Sequence, residues 1–228
     1  DYLRRDGLVA EDEQFFAEQN ARLVANAEQY YRAMFLPRVN TWNLRDQHMT
    51  ETLASLADHF KRQGRTAKIA VWAHNSHLGD ARATDRNEVD EWNVGQLTRE
   101  RYGDKAVLVG FTTYTGTVSA AHDWGGPVNR KAVQPAMEDS YEALLHRAGS
   151  DRFLLVFDEG ELSDRLREPL LERAIGVIYR PQTERLSHYF FARLPEQFVA
   201  VPHFDQTQAL EPLDRTAEWE AGELPETY

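Results

Sequence analysis

Two histidines stand three residues apart in a polar segment that directly follows an apolar run. His74 and His77 lie within Val71–Asp80, which has the sequence VWAHNSHLGD. The residues Lys68–Ala73 have the apolar pattern of a buried strand, and this strand would end at His74. Open α/β sheets bind ligands in the crevice outside the carboxyl ends of their strands. The sequence therefore predicts that the chemistry of this chain takes place around these two imidazoles.

Three kinds of chemistry are open to this pair of histidines. The two imidazoles, together with Asp80 and His122, could form a metal site of the type with two histidines and one carboxylate. Alternatively, one imidazole could act as a general base on water, with Asp80 or another acid orienting the ring. Ser76 could also act as a nucleophile, but no GxSxG elbow surrounds it, so this chemistry ranks last.

A positive charge stands at the beginning of the predicted helix Leu44–Arg62. Arg45 lies four residues before Met49, which puts its guanidinium on the apolar stripe and at the helix end where a positive charge is unfavourable. One interpretation is a structural ion pair with Asp46, Asp80 or another acid. The other is a clamp on an oxyanion or a substrate carbonyl, because a guanidinium offers a fixed fork of donors.

Helical and strand-like patterns alternate along the chain. Apolar residues recur at helical spacing in some segments and form short continuous runs in others. The predicted helices are Glu11–Phe35, Leu44–Arg62, Val94–Tyr102 and Pro135–Ala148. The predicted strands are Lys68–Ala73, Ala106–Phe111, Phe153–Phe157, Ala174–Tyr179 and Phe198–His203. This order predicts an α/β fold with a mostly parallel sheet, flanked by helices on both faces and forming part of a larger domain.

The segment Thr112–Pro127 is predicted to be a long loop. Tyr114, His122 and Trp124 are large side chains with one polar atom each, which suits them to line a pocket and align a ligand. Structureless loops of this length are uncommon unless they have a role. We therefore expect a lid or a substrate-binding loop.

Composition narrows the class of partner. The chain has 228 residues, a formal net charge of -11 and no cysteine. An acidic chain lacks the positive charge that neutralises phosphates, so we expect a neutral or cationic small molecule as partner, and neither nucleic acid nor membrane. The lack of cysteine excludes disulfides, thiolate zinc sites and a cysteine nucleophile, which fits a cytoplasmic location. No apolar stretch has the length of a membrane span.

The sequence supports one further prediction for each end of the chain. Asp1–Asp6 have neither an initiator methionine nor a signal pattern, and from this we expect the chain to begin inside a longer protein. Residues 1–210 are the predicted domain. Residues 211–228 are acidic and rich in proline and glutamate, and we expect them to form a surface tail.

Several segments resemble the C-terminal half of the erythromycin esterase family. They are Trp42–Met49 (WNLRDQHM), Val71–Asp80, Gly110–Val118 (GFTTYTGTV), Ala174–Pro181 (AIGVIYRP), Ser187–Phe190 and His203–Asp205. Characterised members of that family are metal-independent hydrolases that open the macrolactone of macrolide antibiotics. Many relatives have no known substrate, and some are fused to a phosphoribosyltransferase domain. The resemblance therefore implies an ester or lactone hydrolase that uses no cofactor, and it implies hydrolysis more firmly than antibiotic resistance.

The resemblance also implies site residues. It places His74 at a catalytic histidine, with His77 beside it and Arg45 lining the same cleft. We hypothesise that water attacks an ester carbonyl while a histidine removes its proton, with His74 as base or electrophile and Arg45 or the second histidine stabilising the oxyanion. The predicted substrate contacts are Asp46, Asn75, Asp80, Tyr114, His122 and Trp124.

One departure from the family pattern concerns the water-activating residues. In the family, the glutamate and histidine that are thought to activate water belong to an N-terminal motif, and no match to it precedes Trp42. The resemblance thus implies a further partner, the N-terminal half of the same parent protein, without which this chain could be folded and inactive. Two alternatives stay open: a non-catalytic module that binds a sugar or a macrolide, and a metallohydrolase that uses histidine and aspartate ligands.

Overall fold

A four-stranded sheet forms the centre of the computed structural model, which describes residues 2–36, 40–213 and 219. Along the chain the strands are β1 (Thr112–Ala120), β2 (Asn129–Val133), β3 (Arg152–Val156), β4 (Leu170–Arg173), β5 (Tyr189–Ala192) and β6 (Ala200–Thr207). The central sheet has the order β2-β1-β6-β3, and β4 pairs with β5 in a separate two-stranded ribbon.

The helices are long at the start of the chain and short thereafter. They are α1 (Tyr2–Ala33), α2 (Thr41–Arg62), α3 (Asn75–Leu78), α4 (Val94–Tyr102), α5 (Tyr141–His146), α6 (Glu161–Arg165), α7 (Glu184–Ser187) and α8 (Leu194–Gln197). Single 3₁₀ turns lie at Ala81–Ala83, Asp85–Val89, Gly103–Lys105 and Pro181–Thr183. The predicted helices Leu44–Arg62 and Val94–Tyr102 are confirmed as α2 and α4. The predicted helix Pro135–Ala148 shrinks to α5, because Ser140 caps its first turn.

The central sheet is mixed rather than mostly parallel. β1 and β6 run parallel, whereas the β1–β2 and β3–β6 pairs are antiparallel. The prediction of an α/β fold with a helix-flanked central sheet is confirmed, and the prediction of a mostly parallel order is wrong for the described strands. A short hairpin joins β1 to β2, and a connection of that length permits only antiparallel pairing.

Three predicted strands do not form ladders. Lys68–Ala73 has no strand partner among the described residues, and its side chains are exposed. Ala106–Phe111 makes a single bridge at Val109, and Ala174–Tyr179 makes a single bridge at Ile178. An apolar run becomes a strand only when a neighbour accepts and donates its backbone hydrogen bonds, so the apolar pattern alone was not sufficient.

The segment Thr112–Pro127, predicted to be a loop, is mostly strand β1. Its threonines and valine favour a strand, because β-branched side chains fit a pleated surface. Gly116 has a φ of 130°, and a Cβ at that position would lie 2.1 Å from the carbonyl oxygen of Thr207. Glycine therefore permits the close approach of β6. Only residues 121–128 remain as the hairpin loop between β1 and β2.

One face of the central sheet is packed and the other is open. α5 and the β4–β5 ribbon cover the packed face around Tyr141 and Val201, both of which are fully buried. On the opposite face Leu154, Val156 and Phe204 are 59%, 56% and 40% exposed. In the described structure helices therefore cover one face of the central sheet, whereas the sequence predicts helices on both faces.

The first helix packs along the second. Phe15 of α1 stacks on His59 of α2 with the ring centroids 4.2 Å apart. Phe16, Leu23 and Val24 on α1 are exposed. Among the described helices none is both long enough and apolar enough to cross a membrane.

The predicted tail, residues 211–228, falls mostly outside the described residues. Trp219 is described, and its indole N–H donates to the hydroxyl of Ser119 on β1 at 3.0 Å.

Candidate active site

His74 is the N-cap of the short helix α3. The backbone N–H of Ser76 donates to its Nδ1 at 3.1 Å, which places the ring proton on Nε2. Nε2 then donates to the carbonyl of Ile175 at 2.9 Å. Burial lowers the pKa of His74, so the ring is neutral near pH 7. Both ring nitrogens are therefore engaged in fixing the turn.

His77, three residues further on, is held against a buried aspartate. Its Nδ1 lies 2.9 Å from each carboxylate oxygen of Asp46, whose side chain is fully buried. A carboxylate only accepts hydrogen bonds, so Nδ1 carries the ring proton and Nε2 keeps a free lone pair. Within the described part of the chain Nε2 has no hydrogen-bond partner, and it is not a buried atom. An imidazole oriented by a carboxylate, with an open Nε2, has the arrangement of a general base.

Helix α2 supplies two supports for the His77 ring. Trp42 and Asp46 lie four residues apart, on the same face of the helix. The indole of Trp42 stacks on His77 with 4.2 Å between ring centroids and 4° between ring planes. Asp46 also accepts from the backbone N–H of Val94, at the start of α4, at 3.1 Å. The Trp42 stack thus fixes the plane of the His77 ring, and the Asp46 carboxylate fixes its rotation within that plane.

Two guanidinium groups lie near Trp42. Arg45 is exposed, its guanidinium carbon lies 5.9 Å from the Trp42 ring centroid, and it has no carboxylate partner among the described residues. The guanidinium carbon of Arg86 lies 5.4 Å from the same ring, and its Nη1 pairs with Glu91 at 2.9 Å. The structural ion pair, one of the two interpretations of Arg45, does not form among the described residues, because the Arg45 side chain is exposed at the surface.

Asn75 and Asp80, two of the predicted substrate contacts, are engaged inside the protein. The Asn75 amide accepts from the N–H of Phe111 at 3.0 Å and donates to its carbonyl at 2.8 Å. Asp80 is buried and pairs with Arg82 at 2.7 Å and with Arg99 at 3.0 Å. Burial opposes ionisation of this carboxyl, but the hydrogen bonds and charges of the arginines lower the pKa of Asp80. These contacts hold the two ends of the α3 turn.

The other predicted substrate contacts lie on β1 and the hairpin loop that follows it. The ring of Tyr114 stacks on His146 with 3.8 Å between centroids. His122 and Trp124 are exposed on the loop, Trp124 by 83%. In the described structure no hydrogen bond or ring contact joins any of these three to His74 or to His77. Their role as substrate contacts stays a prediction.

The polar side chains around α3 do not converge as metal ligands. His74 uses both ring nitrogens, His77 directs Nδ1 to Asp46, and Asp80 is paired with two arginines. Nowhere among the described residues do three His, Cys, Asp or Glu side chains group as a metal site requires.

Sequence reasoning did not predict the roles of three residues near His77. Asp46, a predicted substrate contact, contacts His77 in the structure, and its contact with a substrate stays a prediction. Trp42 was not recognised as the support of the imidazole, although its spacing from Asp46 on a helix was a signal. Arg86 gave no local signal, because its aromatic contacts, Trp42 and Phe190, are distant in sequence.

The family model for erythromycin esterase matches residues 1–207. The chain therefore belongs to the erythromycin esterase family.

Several solved structures are similar to this chain. The chain is similar to a succinoglycan biosynthesis protein at 20% identity with a TM-score of 0.62, covering 91% of this chain and 51% of that one. A protein from Bacillus cereus matches at 18% identity with a TM-score of 0.61, covering 74% of this chain and 39% of that one. An erythromycin esterase mutant, EreC in its open conformation, matches at 18% identity with a TM-score of 0.46, covering 72% and 37%. The chain spans about half or less of the length of each.

Proposed function

We propose that this chain carries the general base of an ester or lactone hydrolase, and that His77 is that base. The observation that supports this most is the contact between His77 Nδ1 and the buried Asp46 carboxylate. Nε2 removes a proton from water as the water oxygen bonds to the carbonyl carbon of the ester. The tetrahedral intermediate then breaks its bond to the alkoxide, which takes the proton from Nε2. Asp46 orients the ring and stabilises the imidazolium between these steps.

The other predicted residues take supporting roles in this proposal. His74 holds the α3 turn in place, because its Nδ1 accepts from Ser76 within the turn and its Nε2 donates to the carbonyl of Ile175. Arg45 is the proposed oxyanion contact, since its exposed guanidinium lies near the Trp42 ring that supports His77. The acidic net charge favours a neutral or cationic substrate. We propose a macrolide lactone as that substrate and the cytoplasm as the place of the reaction.

The function is tested by hydrolysis in the protein that carries this chain. We expect turnover of a simple aryl ester or of a macrolide lactone, measured by chromatography of the acid product, and we expect it to persist in a chelator. Saturable binding of the macrolide without turnover would instead favour a binding module. Loss of turnover in chelator, restored by a divalent metal, would favour the metallohydrolase.

A second part of the proposal concerns the open face of the sheet. The rings of Trp72, Phe111 and Phe204 form a strip with 5.6 and 6.4 Å between successive centroids, and they are 88%, 44% and 40% exposed. A contiguous exposed apolar surface marks an interaction site. We propose that the N-terminal half of the same parent protein covers this strip, consistent with the partial coverage of the related folds.

The same partner would complete the substrate cleft. One described cavity, of about 280 Å³, is lined by residues of α2 and α4. Another, of about 330 Å³, is lined by residues at the start of β3 and in β6. His77 lines neither of these two. A wall supplied by a second polypeptide segment would turn the open surface at Nε2 into a cleft that holds the ester and limits water.

Hydrogen exchange tests this partner. The backbone amides of residues 68–73 are expected to exchange freely in this chain alone, since they have no strand partner among the described residues. In a polypeptide that also contains an N-terminal half from the family, they should become protected as Lys68–Ala73 pairs with a new strand. Equal, unprotected exchange in both would contradict the proposed cover.

A further inference from the structure

Three buried side-chain oxygens, on Glu172, Glu142 and Gln197, have no hydrogen-bond partner in the described part of the chain. Glu172 on β4, Glu142 on α5 and Gln197 on α8 are at most 2% exposed. Within the described residues, Oε2 of each glutamate and Oε1 of the glutamine have no hydrogen-bond partner. Buried polar atoms are nearly always paired, and acceptors can be paired only by a donor. A proton on one of the two carboxyl groups would supply that donor.

Glu172 is the carboxyl that connects this cluster to the candidate active site. Its Oε1 accepts from the Asn75 amide at 3.3 Å. Asn75 is the first residue of α3, two residues before His77, and it also holds both backbone groups of Phe111. A chain of contacts therefore runs from the buried cluster to the turn that carries the proposed base.

We propose that Glu172 is a positioning residue that acts as a neutral carboxylic acid. Its O–H group donates to Gln197, its other oxygen accepts from Asn75, and the link fixes the α3 turn beneath His77. Loss of the proton would place an anion against unpaired acceptors and loosen the turn. The positioning role rests on the proposed function of His77, whereas the protonation state does not.

On balance the surroundings of Glu172 favour the neutral acid, since burial and the charge of Glu142 outweigh Asn75, Gln197 and Arg86, which act to lower its pKa. The groups that face it are Glu142 and Tyr141 from α5, Arg86 from the Asp85–Val89 turn, Asn75 from α3 and Gln197 from α8. Burial, with Glu142 adding to it, raises the pKa of Glu172 to about 8, against 4.5 for an ordinary glutamate. The folded state thus keeps a proton that the unfolded chain releases. The stabilisation is fully present below pH 4.5 and is lost as the pH rises through about 8.

Glu172→Gln tests the protonation state, because glutamine is neutral at every pH and keeps one donor and one acceptor. From pH 5 to 8, the unfolding equilibrium constant of the parent chain divided by that of the variant should rise about tenfold per pH unit. Denaturant unfolding at each pH measures this ratio. For Glu168→Gln, which alters an exposed carboxyl, the same ratio of unfolding constants should not change with pH. A constant ratio for Glu172→Gln would overturn the proposal.

A second variant covers the case in which Glu172→Gln does not fold. Glu142→Gln removes the charge that helps to keep Glu172 protonated, so the alkaline loss of stability should move to lower pH. An unmoved transition would contradict the proposal.

The positioning role has its own readout. As the pH rises, the rate of ester hydrolysis by the parent protein should fall with a midpoint near the Glu172 pKa of about 8. The Glu172→Gln variant should remain active above that pH. An identical alkaline limb in both would overturn the positioning role even if the stability ratio behaves as expected. If the parent protein hydrolyses no ester, the proposed function fails, and the stability ratio still decides the state of Glu172.

Discussion

Asp46→Asn is expected to lower kcat/KM for ester hydrolysis by about 10²- to 10⁴-fold, the range of a general base. Asparagine keeps the shape of the side chain but not its charge. It can offer an N–H to His77 Nδ1, which favours the wrong tautomer and leaves no lone pair on Nε2. The imidazolium that forms during the reaction also loses its counter-charge. Steady-state kinetics on the protein that carries this chain measures the effect.

The chain contains a matched control for this change. Asp205 contacts Nδ1 of His146 at 2.6 Å, and the His146 ring stacks on Tyr114. This pair repeats the local chemistry of Asp46 and His77, but its imidazole is 43% exposed. Asp205→Asn should leave kcat/KM little changed. If kcat/KM fell in Asp205→Asn while Asp46→Asn kept normal turnover, His77 would not be the general base.

Arg173→Met is expected to lower the free energy of unfolding by about 3–5 kcal/mol, the cost of breaking a buried ion pair by removing one partner. The Arg173 side chain is 2% exposed and pairs with Glu184 at 3.2 Å. It also donates to three backbone carbonyls at 2.6 to 2.7 Å, those of Thr113, Tyr114 and Gln134. Removal of the guanidinium leaves a buried carboxylate and three carbonyls without this donor.

Denaturant unfolding of Arg173→Met and Arg167→Met side by side measures the effect. Arg167 is exposed and contacts Asp164 at 3.4 Å, a pair whose loss should cost at most about 1 kcal/mol. Equal losses for the two variants would show that Arg173 does not hold the β1 strand to the β4–β5 ribbon.

The helices were predictable because their signals are local. Asn40 and Asn93 are the N-caps of α2 and α4, and their side chains accept from N–H groups of the first turn. β1 was not predictable in this way. It pairs with β6, where Thr112 lies opposite His203, 91 residues further along the chain. Its run of threonines around a glycine is equally compatible with a polar loop until that neighbour is known.

The location of the candidate site was predicted, but the side-chain contacts within it were not. The sequence identified the His74–Asp80 turn, but it could not pair His77 with Asp46, because this contact depends on how α2 packs. α2 turns polar residues inward: Asp46 and Thr50 are buried, while Met49 is 37% exposed. A search for an apolar stripe therefore finds the wrong face of this helix.

The most direct test of the central claim compares His77→Gln with His146→Gln in the protein that carries this chain. Both variants remove an imidazole whose Nδ1 contacts an aspartate, and the measurement is kcat/KM for the same ester. If His77 is the base, His77→Gln loses about 10²-fold or more and His146→Gln keeps the activity of the parent protein. Full activity in a folded His77→Gln variant would contradict the account.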